Sequence, residues 1–312
     1  MTARVLITGA AGYVGGLLGS RLARDLRVVG TDIRPRPDLP FAVCRMDVRD
    51  PALADLLKEQ AITHVVHLAS VLDAGGDRAR EFDIDVNGTR NVLECSLAAG
   101  VGHITVTSSG AAYGYHADNP PWIDEDQKLR GNPDFAYSDH KRRIEEMLAD
   151  YRERHPRLRQ LVLRPGTILG ATTRNLITNL FRARRLLAIR GSDSPFVFIW
   201  DEDVVAAIEH GLRGDRSGIY NLAGDGALTV REIAAILGKP VLTLPAGLVR
   251  AALWCGRRLG VGRYGPEQVD FLRYRPVLSN RRLKEEFGYR PRKTSQETFR
   301  FYVEHARARG EL

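Results

Sequence analysis

The chain has 312 residues, 44% of them hydrophobic and 27% charged, an ordinary globular composition with length enough for one large domain or two smaller ones. Its net charge of +8 is spread over both halves and interleaved with acids, as in Arg142, Arg143, Glu145 and Glu146, which argues against a nucleic-acid-binding face. Cys44, Cys95 and Cys255 stand alone, no apolar run approaches the roughly 20 residues of a membrane span, and no charged-then-apolar leader opens the chain, so a soluble cytoplasmic protein with no membrane partner is expected.

In chain order, short apolar runs alternate with longer helical patterns. Strands are expected at 5–8, 27–31, 42–46, 64–68, 104–107 and 161–163, with helices beginning near Gly12, Pro51, Arg78 and Tyr137. That alternation predicts an α/β doubly wound parallel sheet over residues 1–165. Past Arg164-Pro165-Gly166 the rhythm becomes irregular: a helix over 175–187, a strand at 196–199, a helix over 202–212, a strand at 218–222, a helix over 230–237 and a mostly helical tail. Residues 166–312 read as a smaller, mostly helical substrate-binding region, with segments that return to the sheet.

Gly9, Gly12, Tyr13, Val14 and Gly15 fall between the first strand and the first helix, where backbone N–H groups and the helix dipole favour an anion such as a dinucleotide pyrophosphate. Asp32 lies 23 residues after Gly9, at the end of the second strand, close to the spacing at which a carboxylate takes the ribose hydroxyls. A 2′-phosphate would meet like charge there, which favours NAD over NADP, although Arg34 or Arg36 could clasp such a phosphate. Tyr137 and Lys141, at i and i+4, share one helix face. A free tyrosine, with its pKa of about 10, is a poor base near neutrality, and a lysine cation beside it favours the phenolate. The turn from Ser108 to Gly114 follows the fifth strand, at the carboxyl edge where open α/β sheets bind ligands, and a hydroxyl there can hold a substrate oxygen. The eight histidines suggest no metal site; His64 and His67 would face opposite sides of a strand.

With these motifs together, the chain resembles the extended short-chain dehydrogenase/reductases, specifically the NAD-dependent epimerase/dehydratase family, over nearly its whole length. The resemblance implies a Rossmann-type fold, NAD as cofactor and an oxidoreductase step. Tyr137 would be the general acid/base, Lys141 would hold the nicotinamide ribose and tune Tyr137, and Ser109, or Ser108 one register earlier, would bond the substrate oxygen. It also implies adenine contacts from Asp47 and Val48, and cofactor contacts from Leu68, Ala69, Ser70, Asn87 and Pro165, which follows Arg164. A homodimer is implied, with the helices beginning near Arg78 and Tyr137 packed on their copies.

The expected substrate is a sugar or sugar nucleotide, but the pattern departs from the family in residues 192–203, which lack the arginine that many such enzymes use on the diphosphate, and Trp200 replaces the usual histidine. Arg275, before Pro276, matches a second phosphate-binding arginine. The stretch 248–259, with Arg250, Arg257 and Arg258 beside Leu253 and Trp254, reads either as a cover over the substrate pocket or as a helix lying on a membrane, and the pocket is preferred. Two alternatives to the leading function are a dehydrogenase or reductase of an apolar hydroxy or keto compound and a non-catalytic dinucleotide sensor.

Overall fold

A computed structural model of the chain describes residues 3–71, 77–260 and 265–312; the first two residues, and residues 261–264 of the expected helical tail, lie outside the described part. β1 (Arg4–Thr8) passes through the glycine turn into α1 (Tyr13–Leu22), followed by β2 (Arg27–Asp32), β3 (Ala42–Arg45), α2 (Leu53–Glu59) and β4 (His64–His67). α3 (Arg78–Phe82), a π-helical stretch at Asp83–Asn87 and α4 (Gly88–Ala98) run on without a break. β5 (His103–Thr107), a 3₁₀ turn at Gly110–Tyr113, α5 (Ala136–Arg154) and β6 (Arg159–Pro165) come next. The remainder supplies β7 (Thr167–Leu169), α6 (Leu176–Arg182), β8 (Leu186–Ile189), β9 (Phe198–Trp200), α7 (Asp201–Arg213), β10 (Gly218–Leu222), α8 (Val230–Leu237), β11 (Val241–Leu244), α9 (Ala246–Arg258), α10 (Gln268–Arg273), α11 (Arg281–Glu285) and α12 (Ser295–Ala308).

Seven strands form one sheet in the order β10-β6-β5-β4-β1-β2-β3, every pairing parallel. Parallel strands are covered on both faces, which is why the central ones read as continuous apolar runs. Alternate residues divide between two cores: Leu6, Val65 and Ile104 pack toward α2, α4 and α5, whereas Val5, Ile7 and Val66 pack toward α1, α7 and α11. Each such fully buried aliphatic side chain contributes about 1.5–3 kcal/mol of transfer free energy. β4 and β2 leave β1 in opposite directions, and the reversal opens a crevice at the carboxyl ends of β1 and β4. The chain re-enters this sheet after residue 165, with β10 beside β6.

Past residue 165 the structure corrects several local expectations. The helix expected over 175–187 ends at Arg182, where Ala183 turns extended (φ −59°, ψ 147°), and Leu186–Ile189 become β8, paired in parallel with β11. The apolar run 186–189 is ambiguous between helix and strand, and pairing with β11 decides it. The strand expected at 196–199 sits at Phe198–Trp200 against β7, while Phe196 makes an antiparallel bridge to Leu228. An aromatic core ties this part together: Phe181 and Phe299 lie 5.1 Å apart edge to face, and Phe198 stacks on Phe299 at 5.3 Å. Among the described residues no helix is long and apolar enough to cross a membrane.

Candidate active site

The crevice begins at the turn after β1. Gly9 has φ +68°, and a Cβ there would stand 2.8 Å from the Ala69 backbone nitrogen, so the loops after β1 and β4 touch only because residue 9 has no side chain. A Cβ at Gly15 would run into the carbonyl of Gly9. Gly12 caps α1 without any side-chain hydrogen bond, and the first turn of α1 carries no acid. Its N–H groups and the positive end of the helix dipole therefore face the cavity uncompensated, the condition a pyrophosphate needs.

Asp32 ends β2 with its carboxylate accepting from Ala11 N (3.1 Å) and Arg34 N (2.9 Å), so it fixes the turn and still lines the cavity. Arg36 is committed to Asp38 at 2.5 Å. Farther along, Asp47 pairs with Arg49 at 2.6 Å, and the hydrogen bonds from Arg49 hold its carboxyl below the usual range. Asn91 Nδ2 donates to Val48 O (2.8 Å) and pins that loop. Leu68, Ala69 and Ser70 line the cavity from the end of β4. Tyr13 reaches away from the turn: its hydroxyl donates to Asp201 Oδ2 at 2.5 Å, 188 residues on, and burial with that carboxylate pushes its pKa up to about 12.

The opposite wall is α5. Its spacing puts Lys141 Nζ 5.7 Å from the Tyr137 ring centre, and Lys141, buried, donates to Thr107 O at 3.2 Å. The two serines part company. Ser108 is buried and donates to Glu145 at 2.5 Å, whereas Ser109 caps the 3₁₀ turn by accepting from Ala111 N (3.1 Å) and remains half-buried on the cavity wall. Beneath the turn, Arg164 meets Glu145 at 2.6 Å and Tyr113 Oη at 2.7 Å, both partners buried. Glu145 offsets the effect of burial on Arg164, whose pKa rises.

All of these cavity-lining residues bound one space of about 1090 Å³, together with Pro165. Asn87 does not join them: it is exposed, and its amide donates to Asp83 at 2.9 Å. From the same stretch it is Asp85 that turns inward, accepting from Ser70 Oγ (3.1 Å), Val71 N (2.9 Å) and His140 Nδ1 (3.3 Å). Burial alone would raise its pKa; the His140 bond and the nearby Lys141 ammonium more than offset this and lower it. The pairing of His140 with Asp85 could not be read from local periodicity, because the contact spans 55 residues.

The remaining wall comes from α6, β8, α9 and α10, with Ile177, Leu180, Leu187, Val249 and Leu253 among its residues. Arg275 closes it. Its guanidinium lies 3.7 Å over the Phe196 ring and 5.0 Å from that of Phe271, and Nη1 donates to Ser194 O at 2.9 Å. No carboxylate among the described residues pairs with it, and its buried Nε has no partner there. Burial pushes its pKa down to about 9, which leaves it cationic near neutrality. Tyr115, also on this wall, has its pKa raised by burial, so it gives up its proton less readily than a solvated phenol.

Known proteins share the family and the fold of this chain. The model of the NAD dependent epimerase/dehydratase family matches residues 5–223. An uncharacterized protein of Mycobacterium tuberculosis is 26% identical over 310 residues, 96% of this chain and 82% of that protein. N-acetyl-alpha-D-glucosaminyl-diphospho-ditrans,octacis-undecaprenol 4-epimerase of Escherichia coli O157:H7 is 27% identical over 241 residues, 75% of this chain and 71% of that one. The crystal structure of the UDP-glucose 4-epimerase of Thermus thermophilus in complex with NAD superposes with a TM-score of 0.75 at 26% identity, covering 97% of this chain and 99% of that one.

Proposed function

The chain belongs to the NAD-dependent epimerase/dehydratase family and is an NAD-dependent enzyme of that type, and from that premise we propose that it oxidises a hydroxyl-bearing carbon of a sugar nucleotide through Ser109, Tyr137 and Lys141. The observation that carries this reading is that a single cavity joins the glycine turn and the Tyr137–Lys141 face to Arg275, a buried cation without a carboxylate among the described residues. A buried charge asks for a counter-ion, and a substrate phosphate supplies one in a form that a guanidinium binds through two N–H groups. A purely apolar alcohol would leave Arg275 unpaired, which disfavours the reductase alternative.

NAD bound along the glycine wall supplies the hydride acceptor. Tyr137 takes the hydroxyl proton as the carbon–hydrogen bond breaks, and Ser109 donates a hydrogen bond to the same oxygen. Lys141, fixed on Thr107 O, supports the negative charge and holds the ribose. Asp32 would take the adenosine ribose hydroxyls, and Asp47 and Val48 would border the adenine. We place the enzyme in the cytoplasm, on its three free cysteines, and as a homodimer through α3, α4 and α5, whose exposed side chains include Arg143, Glu146 and Asp150. Light scattering that finds only a 34.7 kDa species removes the dimer.

The function is tested by incubating the purified protein with a panel of nucleoside-diphosphate hexoses and following epimer formation by NMR and NADH by absorbance. Conversion without net NADH assigns epimerisation, and stoichiometric NADH assigns dehydrogenation. Turnover of apolar alcohols alone overturns the substrate class.

A further inference from the structure

Helix α9 has two faces. Ala246, Val249, Leu253 and Gly256, at helical spacing, form the seam toward the molecule, and Val249 and Leu253 belong to the cavity wall. On the other side Leu248, Ala252, Cys255 and Leu259, at i, i+4, i+7 and i+11, form an apolar stripe in solvent, with Leu248 56% and Leu259 76% exposed. Trp254, 54% exposed, stands beside it with the Arg258 guanidinium 5.5 Å over its ring. Of the eight large apolar side chains exposed among the described residues, three lie on α9 and its C-cap: Leu248, Trp254 and Leu259. A concentration of this kind marks an interaction surface.

Charge identifies the partner. α9 contains no acidic residue, and Arg190, at its entrance, and Arg258, on the helix itself, are exposed with no carboxylate partner among the described residues. Arg190 sits at the entrance to α9, its N–H bonded to Leu244 O at 2.9 Å. Arg250 and Arg257 meet Asp270 and Glu267 in exposed pairs at 3.2 and 3.4 Å. A second copy docked on the stripe would bring these arginines against their own kind. An anionic lipid surface takes both parts, its acyl boundary accepting the Leu and Trp side chains and its headgroups the guanidinium fringe.

We propose that α9 docks this protein, reversibly and in the interface plane, on bilayers rich in anionic lipid, so that the pocket opens at the membrane surface. The helix thus covers the cavity with one face and meets lipid with the other; the two expectations for this stretch are not exclusive.

The test is flotation of the full-length protein with phosphatidylglycerol/phosphatidylcholine vesicles against phosphatidylcholine alone, for the wild type, Leu248→Asn/Leu259→Asn and Arg190→Gln/Arg258→Gln. All these positions are exposed and outside the catalytic machinery, so NAD binding measured by calorimetry should be unchanged and reports a sound fold. Expected is binding to anionic vesicles that weakens in high salt and falls roughly tenfold in each double variant. Absence of binding by the wild type, or equal binding by all three proteins, overturns the proposal. So does a wild-type dimer in light scattering that the Leu248→Asn/Leu259→Asn change converts to monomer, which would assign the stripe to a second copy.

Discussion

The two walls of the cavity are built on different physics. At and behind the cofactor wall several polar side chains are tied down by buried or half-buried hydrogen bonds: Lys141 to the Thr107 carbonyl, Ser70 and His140 to Asp85, and Ser108 and Arg164 to Glu145. The wall made by α6, β8, α9 and α10 is mostly apolar, with Arg275 as its buried charge and α9 seated on a narrow seam. Buried polar networks over-determine positions, whereas an apolar wall specifies only volume and water exclusion. On the proposed function, the chemistry would rest on the rigid side, and the choice of substrate on the side with fewer constraints.

The sharpest way to break this contrast is at Tyr137. Tyr137→Phe keeps the ring and deletes the acid, so kcat should fall by roughly 10²–10⁴-fold with NAD affinity barely changed. Lys141→Ala should lower both. Steady-state kinetics and NAD calorimetry decide, and near-normal turnover in Tyr137→Phe would move the chemistry elsewhere.

Glu145 tests the rigidity claim. Glu145→Gln leaves Arg164 buried beside a neutral partner and should cost about 3–5 kcal/mol of stability, read as a lower urea midpoint. A loss under about 1 kcal/mol, the scale of an exposed pair, would mean that the network under the serine turn is not what holds it.

On the substrate wall, Arg275→Met preserves the apolar contact with Phe196 and Phe271 but removes the charge. KM for a nucleoside-diphosphate sugar should rise roughly 10- to 100-fold with kcat little altered, the loss of a charged hydrogen bond. A fall in kcat alone would place Arg275 on the reacting end. The smallest change is expected at Asp32: Asp32→Ala should weaken NAD about tenfold and improve NADP, as measured by titration with both cofactors. Preference for NADP in the unmodified protein would reverse the account of that carboxylate.

Local geometry explains what could be read from the residues alone. A helix repeats every 3.6 residues, so Tyr137 and Lys141 had to share a face; parallel strands are buried on both sides, so their apolar runs stood out; and the turn from Gly9 to Gly15 marked the passage from β1 to α1. Placing the first strands along the chain needed nothing more; their order in the sheet, and the return of β10 to it, came from the packed structure. Tertiary structure decided what depends on residues far apart. Ser108 and Ser109 are adjacent, and only Glu145, 37 residues on, separates a buried hydroxyl from one on the cavity wall. From residues 85–89 the resemblance pointed to Asn87, and it is Asp85 that contacts with Ser70 and His140 turn inward. The run 186–189 became strand because β11 lies beside it, and Arg275 became a buried cation with no carboxylate partner among the described residues because Phe196 and Phe271 close over it. Backbone periodicity acts over one or two turns and is written in neighbouring residues; burial and charge pairing depend on which distant segments meet, and that is settled only when the chain packs.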